Sequence, residues 1–330
     1  MFLVAPCCSW AGGDQHRVEV IDWDARIFRI PNFVTEKEAD ELIELGHDAL
    51  DSTYAHEDWR KRHTYTQVFY SGQQYKRHRI LTELDERIAR LTMVKRHAEE
   101  SPLMFTRMIP GQAAGQLFGD QTVRNLHHDK NGRENRIVTV LVYLSSAADN
   151  EGGHTLFPGL AAMPCPRMRA DMGGCTDVAG WFVRQLTELF RNGSRVVDPL
   201  ALPDSASEAE RASHTALLNE ASIQCRMVQR SQTLSVRPQK GSALVFWHVE
   251  ADGRPNMRAW HAACQAMSGP YRTAVQKFKE LPRVSGEWVL DPSDGQPRWQ
   301  SRPPSPGSLG QPPHAPMSPK VHERRGRDEL

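Results

Sequence analysis

The sequence predicts a mainly β protein with flanking helices (α+β), in which short strands form a sandwich or jelly-roll barrel. Two observations predict this class: β-branched runs alternate with Gly and Pro turns, and two amphipathic segments precede them. The chain has 330 residues, 39% of them hydrophobic, which suffices for the core of one medium-sized domain. Its formal net charge of +1 indicates no general attraction to nucleic acid, and no apolar stretch is long enough to span a bilayer.

Two segments in the N-terminal part have helical periodicity. Thr35 and Glu38 form a capping box, and the apolar stripe that follows predicts a helix to about Leu50. A second helix is expected from about Arg79 to Leu91, because apolar residues recur on one face. Both are interpreted as supporting helices of a β core.

Four later segments predict strands. Each is short, rich in apolar or β-branched residues, and bounded by turn residues. They are Arg136 to Leu144, His154 to Phe157 closed by Pro158, Ser242 to Trp247, and Tyr271 to Phe278.

Three residues in two distant segments have the pattern of a metal site. His127 and Asp129 flank His128, and His261 follows much later. Because side chains on a strand alternate faces, His127 and Asp129 are expected to point one way and His128 the other. Two imidazoles and one carboxylate on one side of an ion leave its other positions open, as in non-haem Fe(II) oxygenases. We therefore predict a metal site at His127, Asp129 and His261.

Six ordered motifs carry a resemblance to a known family. They are Pro110-Gly111-Gln112; His127 with Asp129; Arg136, Thr139, Tyr143 and Leu144; Glu151 to Pro158; Lys240 to Trp247; and His261, Ala262 and Cys264. Over roughly residues 21–282 the chain resembles the 2-oxoglutarate- and Fe(II)-dependent prolyl 4-hydroxylases.

This resemblance implies a double-stranded β-helix (jelly-roll) core in which the three predicted ligands hold Fe(II). The implied reaction is hydroxylation of peptidyl proline by O2, with decarboxylation of 2-oxoglutarate to succinate and CO2. Ascorbate would keep the iron reduced. No catalytic side chain is expected beyond the metal centre.

The resemblance also implies a basic residue for the far carboxylate of 2-oxoglutarate. The family usually has a Lys at the position of Tyr271, so we expect the next residue, Arg272, to bind it. Arg272 and Lys277 differ by an odd number, and on a regular strand only one can face the pocket. Thr139 and Tyr143 are further expected cofactor contacts, although Tyr143 could equally be a core aromatic.

Substrate contacts are predicted in two places. Arg62 and Tyr65 fall where the family has a substrate-covering loop, with an ordinary strand and turn as the alternative. Trp247 and Trp260 are candidates for an aromatic groove that binds polyproline II peptides, with a core position as the alternative for Trp247. The expected partner is a Pro-rich secretory protein, and a further partner subunit is left open.

Composition shifts divide the chain into regions. Residues 1–16 are interpreted as an incomplete signal or leader, and residues 17–282 as the dioxygenase domain with an inserted lobe at about 159–232. In the lobe, Trp181 to Phe190 predicts a helix and Pro203 to Ala212 a flexible polar loop. Residues 283–330 predict a Pro-rich, disordered and extended tail that ends in R-D-E-L. This ending resembles the K-D-E-L retrieval signal of the endoplasmic reticulum lumen.

Three alternatives remain at this point. The chain could be a cytosolic oxygen-sensing prolyl hydroxylase, which Arg272 favours and the terminal R-D-E-L opposes. It could be a lysyl hydroxylase, because ligand motifs do not encode the oxidised side chain. It could also be a non-catalytic subunit that binds Pro-rich peptides.

Overall fold

The computed structural model describes residues 17–54, 65–110, 123–130, 135–148, 151–162, 177–197, 202–227, 232–269, 271–282, 286–290 and 297–301. Its unit up to Pro282 is built on two antiparallel sheets. The strands are β1 (Glu19–Asp22), β2 (Ile27–Ile30), β3 (Tyr65–Phe69), β4 (Met104–Met108), β5 (Val123–His127), β6 (Arg136–Tyr143), β7 (Thr155–Ala161), β8 (Val196–Val197), β9 (Thr233–Val236), β10 (Ala243–Trp247), β11 (His261–Cys264) and β12 (Arg272–Glu280).

The larger sheet has seven strands in the order β1-β2-β10-β6-β12-β4-β3. Its outer face packs against α1 (Glu36–Thr53) and α3 (Arg79–Thr92), and a short α2 (Gly72–Arg77) precedes α3. Both predicted N-terminal helices are confirmed. The capping box at the start of α1 is present as predicted, since Thr35 accepts from the Glu38 backbone and Glu38 accepts from the Thr35 backbone.

The smaller sheet has five strands in the order β8-β5-β11-β7-β9. Its outer face is covered by two helices of the predicted lobe, α4 (Val178–Arg191) and α5 (Glu208–Arg226). A disulfide between Cys225 and Cys264 joins the end of α5 to β11. The lobe is therefore tied both by apolar packing and covalently to the strand that carries His261.

The inner faces of the two sheets meet in a shared core. Leu244 and Phe246 of the larger sheet pack with Phe157 and Val236 of the smaller one. Two facing antiparallel sheets with supporting helices confirm the predicted mainly β, jelly-roll class. No helix among the residues described is long and apolar enough to cross a membrane.

Three local predictions differ from the structure. Strand β7 continues past Pro158 to Ala161, because a register shift between Phe157 and Ala161 accommodates a residue without an N–H. The loop predicted at Pro203 to Ala212 ends early, because Ser207 and Glu210 form a capping box that starts α5. Within the predicted extended tail, β13 (Gly286–Leu290) and β14 (Pro297–Ser301) form a two-stranded hairpin, which is a separate unit.

Candidate metal centre

The two predicted histidine ligands lie on neighbouring strands. His127 ends β5 and His261 begins β11, and the two residues are register partners in the antiparallel pair. Their rings are 4.3 Å apart between centroids. Asp129 lies just beyond the end of β5, in a turn, where its side chain returns to the same side as His127.

The potential ligand atoms of these three residues converge. One ligand atom from each of His127, Asp129 and His261 lies within 4.8 Å of the others. His127 Nε2 is 3.1 Å from Asp129 Oδ1, and His261 Nε2 is 3.7 Å from Asp129 Oδ2. Asp129 and His261 are buried, whereas the side chain of His127 is 23% exposed, so the cluster opens on the His127 side.

The protonation states suit a divalent cation. Burial acts to raise the pKa of Asp129, but the adjacent His261 and His127 outweigh it and hold this pKa well below its usual range. Burial lowers the pKa of His261 to about 4, against the opposing effect of Asp129. The Nδ1–H of His261 donates to the Ala259 carbonyl at 3.1 Å, which leaves Nε2 with a lone pair facing Asp129. An anionic carboxylate and neutral imidazole are the forms that bind iron.

His128 points away from the ligands, as the strand alternation predicts. Its ring packs edge-on against Phe190 and Trp260, in the core between the smaller sheet and the lobe. Its Nε2–H donates to the Asn256 carbonyl at 3.1 Å. Burial lowers the pKa of His128 to about 3, so the ring is neutral.

His248 is a residue of the site that the sequence analysis missed. It follows β10, is fully buried, and its Nε2 lies 2.7 Å from Thr139 Oγ1 and 3.5 Å from Asp129 Oδ2. Thr139 in turn donates to Asp129 Oδ2 at 2.7 Å. Thr139, predicted as a cofactor contact, is thus placed behind the metal ligand. The alternation of β10 could have indicated His248, because Leu244 and Phe246 share its inward face.

Arg272 lies near the start of β12 and is buried. Its Nη2 donates to Glu151 Oε2 at 2.8 Å and to the Ser268 carbonyl at 3.2 Å. The Arg272 stem runs so close to Gly153 that a Cβ there would lie 2.9 Å from its Cγ. The guanidinium thus already binds a carboxylate, that of Glu151, which the sequence analysis had not linked to it.

Tyr143, the other predicted carboxylate contact, lies in the core between the sheets. Its hydroxyl is 2.8 Å from Thr155 Oγ1 on β7. Burial raises the pKa of Tyr143 above its ordinary value, so the phenol is protonated at neutral pH. The two hydroxyls form a hydrogen-bonding pair that bridges the larger and smaller sheets.

The predicted substrate contacts that the structure describes do not join the cluster of metal ligands. Arg62 lies outside the described residues, and Tyr65 begins β3 at the edge of the larger sheet. Trp247 packs against the helix-side core, the apolar cluster between the larger sheet and helices α1 and α3. The Arg26 guanidinium lies 4.2 Å from the centroid of its ring. Trp260 is fully buried beneath the lobe. The structure therefore corrects the prediction that these two tryptophans line a groove at the metal site: both face away from it.

A comparison with protein families identifies the superfamily of this chain. A model of the 2OG-Fe(II) oxygenase superfamily matches residues 114–279, which contain all three clustered ligands. The chain belongs to this superfamily.

Relatives of this oxygenase include plant enzymes. It is 24% identical over 263 residues to the probable prolyl 4-hydroxylase 10 of Arabidopsis thaliana, covering 78% of this chain and 69% of the relative. It is 23% identical over 282 residues to prolyl 4-hydroxylase 5 of the same plant, covering 81% and 72%.

Solved structures also resemble the oxygenase. The viral collagen prolyl hydroxylase of Paramecium Bursaria Chlorella virus-1, in complex with 2OG, has a TM-score of 0.41 and 13% identity, covering 79% of this chain and 97% of that one. The prolyl hydroxylase of Trichoplax adhaerens, in complex with a hypoxia inducible factor peptide, has a TM-score of 0.38 and 14% identity, covering 78% and 84%.

Proposed function

We propose that this oxygenase is a prolyl 4-hydroxylase that acts on Pro-rich peptides. The observation that carries the proposal is the convergence of His127, Asp129 and His261 within 4.8 Å in a chain of the 2OG-Fe(II) oxygenase superfamily. The choice of proline as target is supported by the Arabidopsis relatives, which are named prolyl 4-hydroxylases.

The three clustered residues would hold the iron. Asp129 supplies a buried, negatively charged carboxylate. The two histidines supply neutral nitrogens from paired strands. Ligands from one side only leave room on the other for co-substrate and dioxygen. When bound, Fe(II) with 2-oxoglutarate supplies the oxidising power that places one oxygen atom of O2 on C4 of a prolyl residue.

Arg272 is the residue we propose for the far carboxylate of 2-oxoglutarate. Its guanidinium is buried, and its contact with the Glu151 carboxylate at 2.8 Å supports this role. Lys277 is poorly placed for this role, because its ammonium contacts Asp85 and Glu100 on the helix side of the larger sheet. The hydroxyl pair of Tyr143 and Thr155 is the accompanying polar group between the sheets.

The substrate class and the compartment belong to the same proposal. We infer that the substrates are Pro-rich secretory proteins and that the enzyme works in the endoplasmic reticulum lumen, with ascorbate as reductant. The Cys225–Cys264 disulfide supports an oxidising compartment, and the R-D-E-L sequence supports retrieval to that lumen.

The test is an assay with two products. Purified protein with Fe(II), ascorbate and 2-oxoglutarate is given a Pro-rich peptide, and succinate and peptide mass are both measured. We expect peptide-dependent succinate and a peptide that has gained one oxygen atom on proline. A matched peptide with Lys in place of Pro should stay unmodified; oxidised Lys would instead favour the lysyl hydroxylase.

Two variants relate this activity to the proposed centre. His261→Ala removes a ligand and should abolish both products. His214→Ala replaces another buried histidine, on α5 in the lobe, and should retain them. Turnover that survives in His261→Ala would contradict the proposal, and so would a folded wild-type protein that binds peptide but forms neither product.

A further inference from the structure

We propose that His248 is a positioning residue that acts through Thr139. Together they hold one oxygen of Asp129 in a hydrogen bond, so that this oxygen does not bind the metal. The inference rests on the proposed metal centre, to which Asp129 contributes the carboxylate of the three ligands. It concerns three side chains in series: His248, Thr139 and Asp129.

The backbone of His248 is fixed on both sides. Its N–H donates to the Ile137 carbonyl at 2.8 Å, next to the strand pair β10–β6, and its carbonyl accepts from the Asn256 N–H at 2.9 Å. The ring is fully buried and has edge contacts with Phe246 and His128. A side chain held in this way can impose its direction on a neighbour.

The direction of the two hydrogen bonds follows from counting protons. Thr139 has a single hydroxyl proton, and Thr139 Oγ1 donates it to Asp129 Oδ2 at 2.7 Å. Thr139 Oγ1 then has only lone pairs for the His248 ring nitrogen 2.7 Å away. His248 must therefore carry its proton on Nε2 and donate it. The relay runs from His248 through Thr139 to the carboxylate.

This relay separates the two oxygens of Asp129. Oδ2 is the acceptor of the relay and lies 3.7 Å from His261 Nε2, whereas Oδ1 lies 3.1 Å from His127 Nε2. Because Oδ2 accepts the hydrogen bond from Thr139, the carboxylate would bind an ion through Oδ1. Ligation through one oxygen keeps one more coordination position open than ligation through two, which a co-substrate that chelates needs.

The experiment measures the dissociation constant of Co(II), followed by its visible absorption, without any turnover. Thr139→Val keeps the shape but removes the relay, and we expect Co(II) to bind about 10- to 100-fold more weakly. Thr139→Ser restores the hydroxyl and should recover most of this loss. His248→Leu should weaken binding in the same direction, and His248→Gln, which retains an N–H donor, should recover part of it.

The double variant tests whether the residues act in series. Because Thr139→Val already breaks the relay, adding His248→Leu should weaken Co(II) binding no further, a non-additive result. Thr106→Val is the control, since it removes another buried hydroxyl, one that donates to Ala274 on the same sheet. It should bind Co(II) as wild type does.

The outcomes are distinguishable. Additive effects, a Thr139→Val protein that binds Co(II) as tightly as wild type, or no rescue by Ser would overturn the relay while the metal centre stands. A folded wild-type protein that binds no Co(II) would overturn the metal centre and the relay with it. If His248→Leu fails to fold, the Thr139 series and His248→Gln still decide the question.

Discussion

Arg272 and Lys277 lie on opposite faces of strand β12. Arg272 shares its face with Ala274, which belongs to the core between the sheets, whereas Lys277 shares its face with Val275 of the helix-side core. Lys277 Nζ is 3.0 Å from Asp85 Oδ1 and 3.2 Å from Glu100 Oε2, and all three groups are buried. The two cations thus have different environments. Removing Arg272 is expected to affect binding of 2-oxoglutarate, and removing Lys277 is expected to affect stability.

Arg272→Met is expected to raise the KM for 2-oxoglutarate. A hydrogen bond to a charged group contributes about 1.5–3 kcal/mol, which corresponds to an increase of roughly 10-fold or more. Lys277→Met should leave this KM unchanged but lower the free energy of unfolding by about 3 kcal/mol, because Asp85 and Glu100 lose a buried ammonium and keep Arg96 and Lys279 as cationic partners. Succinate kinetics and urea denaturation of both variants check this pair; the reverse assignment of the two effects would refute it.

The Cys225–Cys264 disulfide should stabilise the protein, because it links helix α5 of the lobe to strand β11. It closes a loop of 39 residues between α5 and β11. Removing a bridge of this kind typically costs about 2–4 kcal/mol. We expect Cys225→Ser to lower the free energy of unfolding by this amount in urea. Reductant should then destabilise wild type by a similar amount and have little further effect on the variant; equal sensitivity of both proteins would argue against the bridge.

Glu38 gives a pH dependence to the docking of α1. Burial acts to raise its pKa, but the hydrogen bond from Arg87, at 2.7 Å, and the Thr35 backbone N–H outweigh it and lower the pKa. A carboxyl with a lowered pKa in the folded state stabilises above its unfolded pKa and loses this contribution as the pH falls. Glu38→Gln should therefore be less stable than wild type at neutral pH, with the difference shrinking in acid.

Urea unfolding at several pH values, from neutral to about pH 3, measures that difference. Glu36→Gln is the matched control, because Glu36 lies in the same first turn and is exposed. A difference in the free energy of unfolding between wild type and Glu38→Gln that grows in acid would contradict the stabilising role of the ionised Glu38 carboxylate.

The two tryptophans predicted to line a substrate groove provide a further check. Trp260→Ala should lower the free energy of unfolding by about 3–5 kcal/mol, because the ring is fully buried beneath the lobe. Trp247→Ala removes a partly exposed ring that packs on the helix-side core and against Arg26, and it should cost less than Trp260→Ala. Neither change should alter the KM for peptide. A selective rise in this KM for either variant would return that residue to the substrate groove.

Local rules predict much of this fold. The Thr35 capping box and the apolar stripe after it predict α1, and strand alternation correctly separates His128 from the metal ligands. The same kind of signal exists at Ser207 and Glu210 but is outweighed by the polar composition around it. Periodicity is informative where apolar residues recur on one face, as in α4, and less so in α5, whose first turns are polar.

Contacts between distant segments cannot be predicted in this way. His248 lies 109 residues from Thr139 along the chain, and Glu151 lies 121 residues from Arg272. Such pairs depend on the order of strands in the sheets and on the lean of individual side chains, which neither composition nor spacing encodes. The metal ligands are an exception because the family resemblance implies all three.

The most direct measurement is the mass of the peptide formed under heavy-isotope dioxygen. We expect one heavy oxygen atom to enter the prolyl ring of the peptide and the other to enter succinate, in equal amounts, and we expect His261→Ala to form neither product. A hydroxylated peptide that carries ordinary oxygen from water, or labelled succinate with no change in any peptide, would contradict the assignment of this chain as a prolyl hydroxylase.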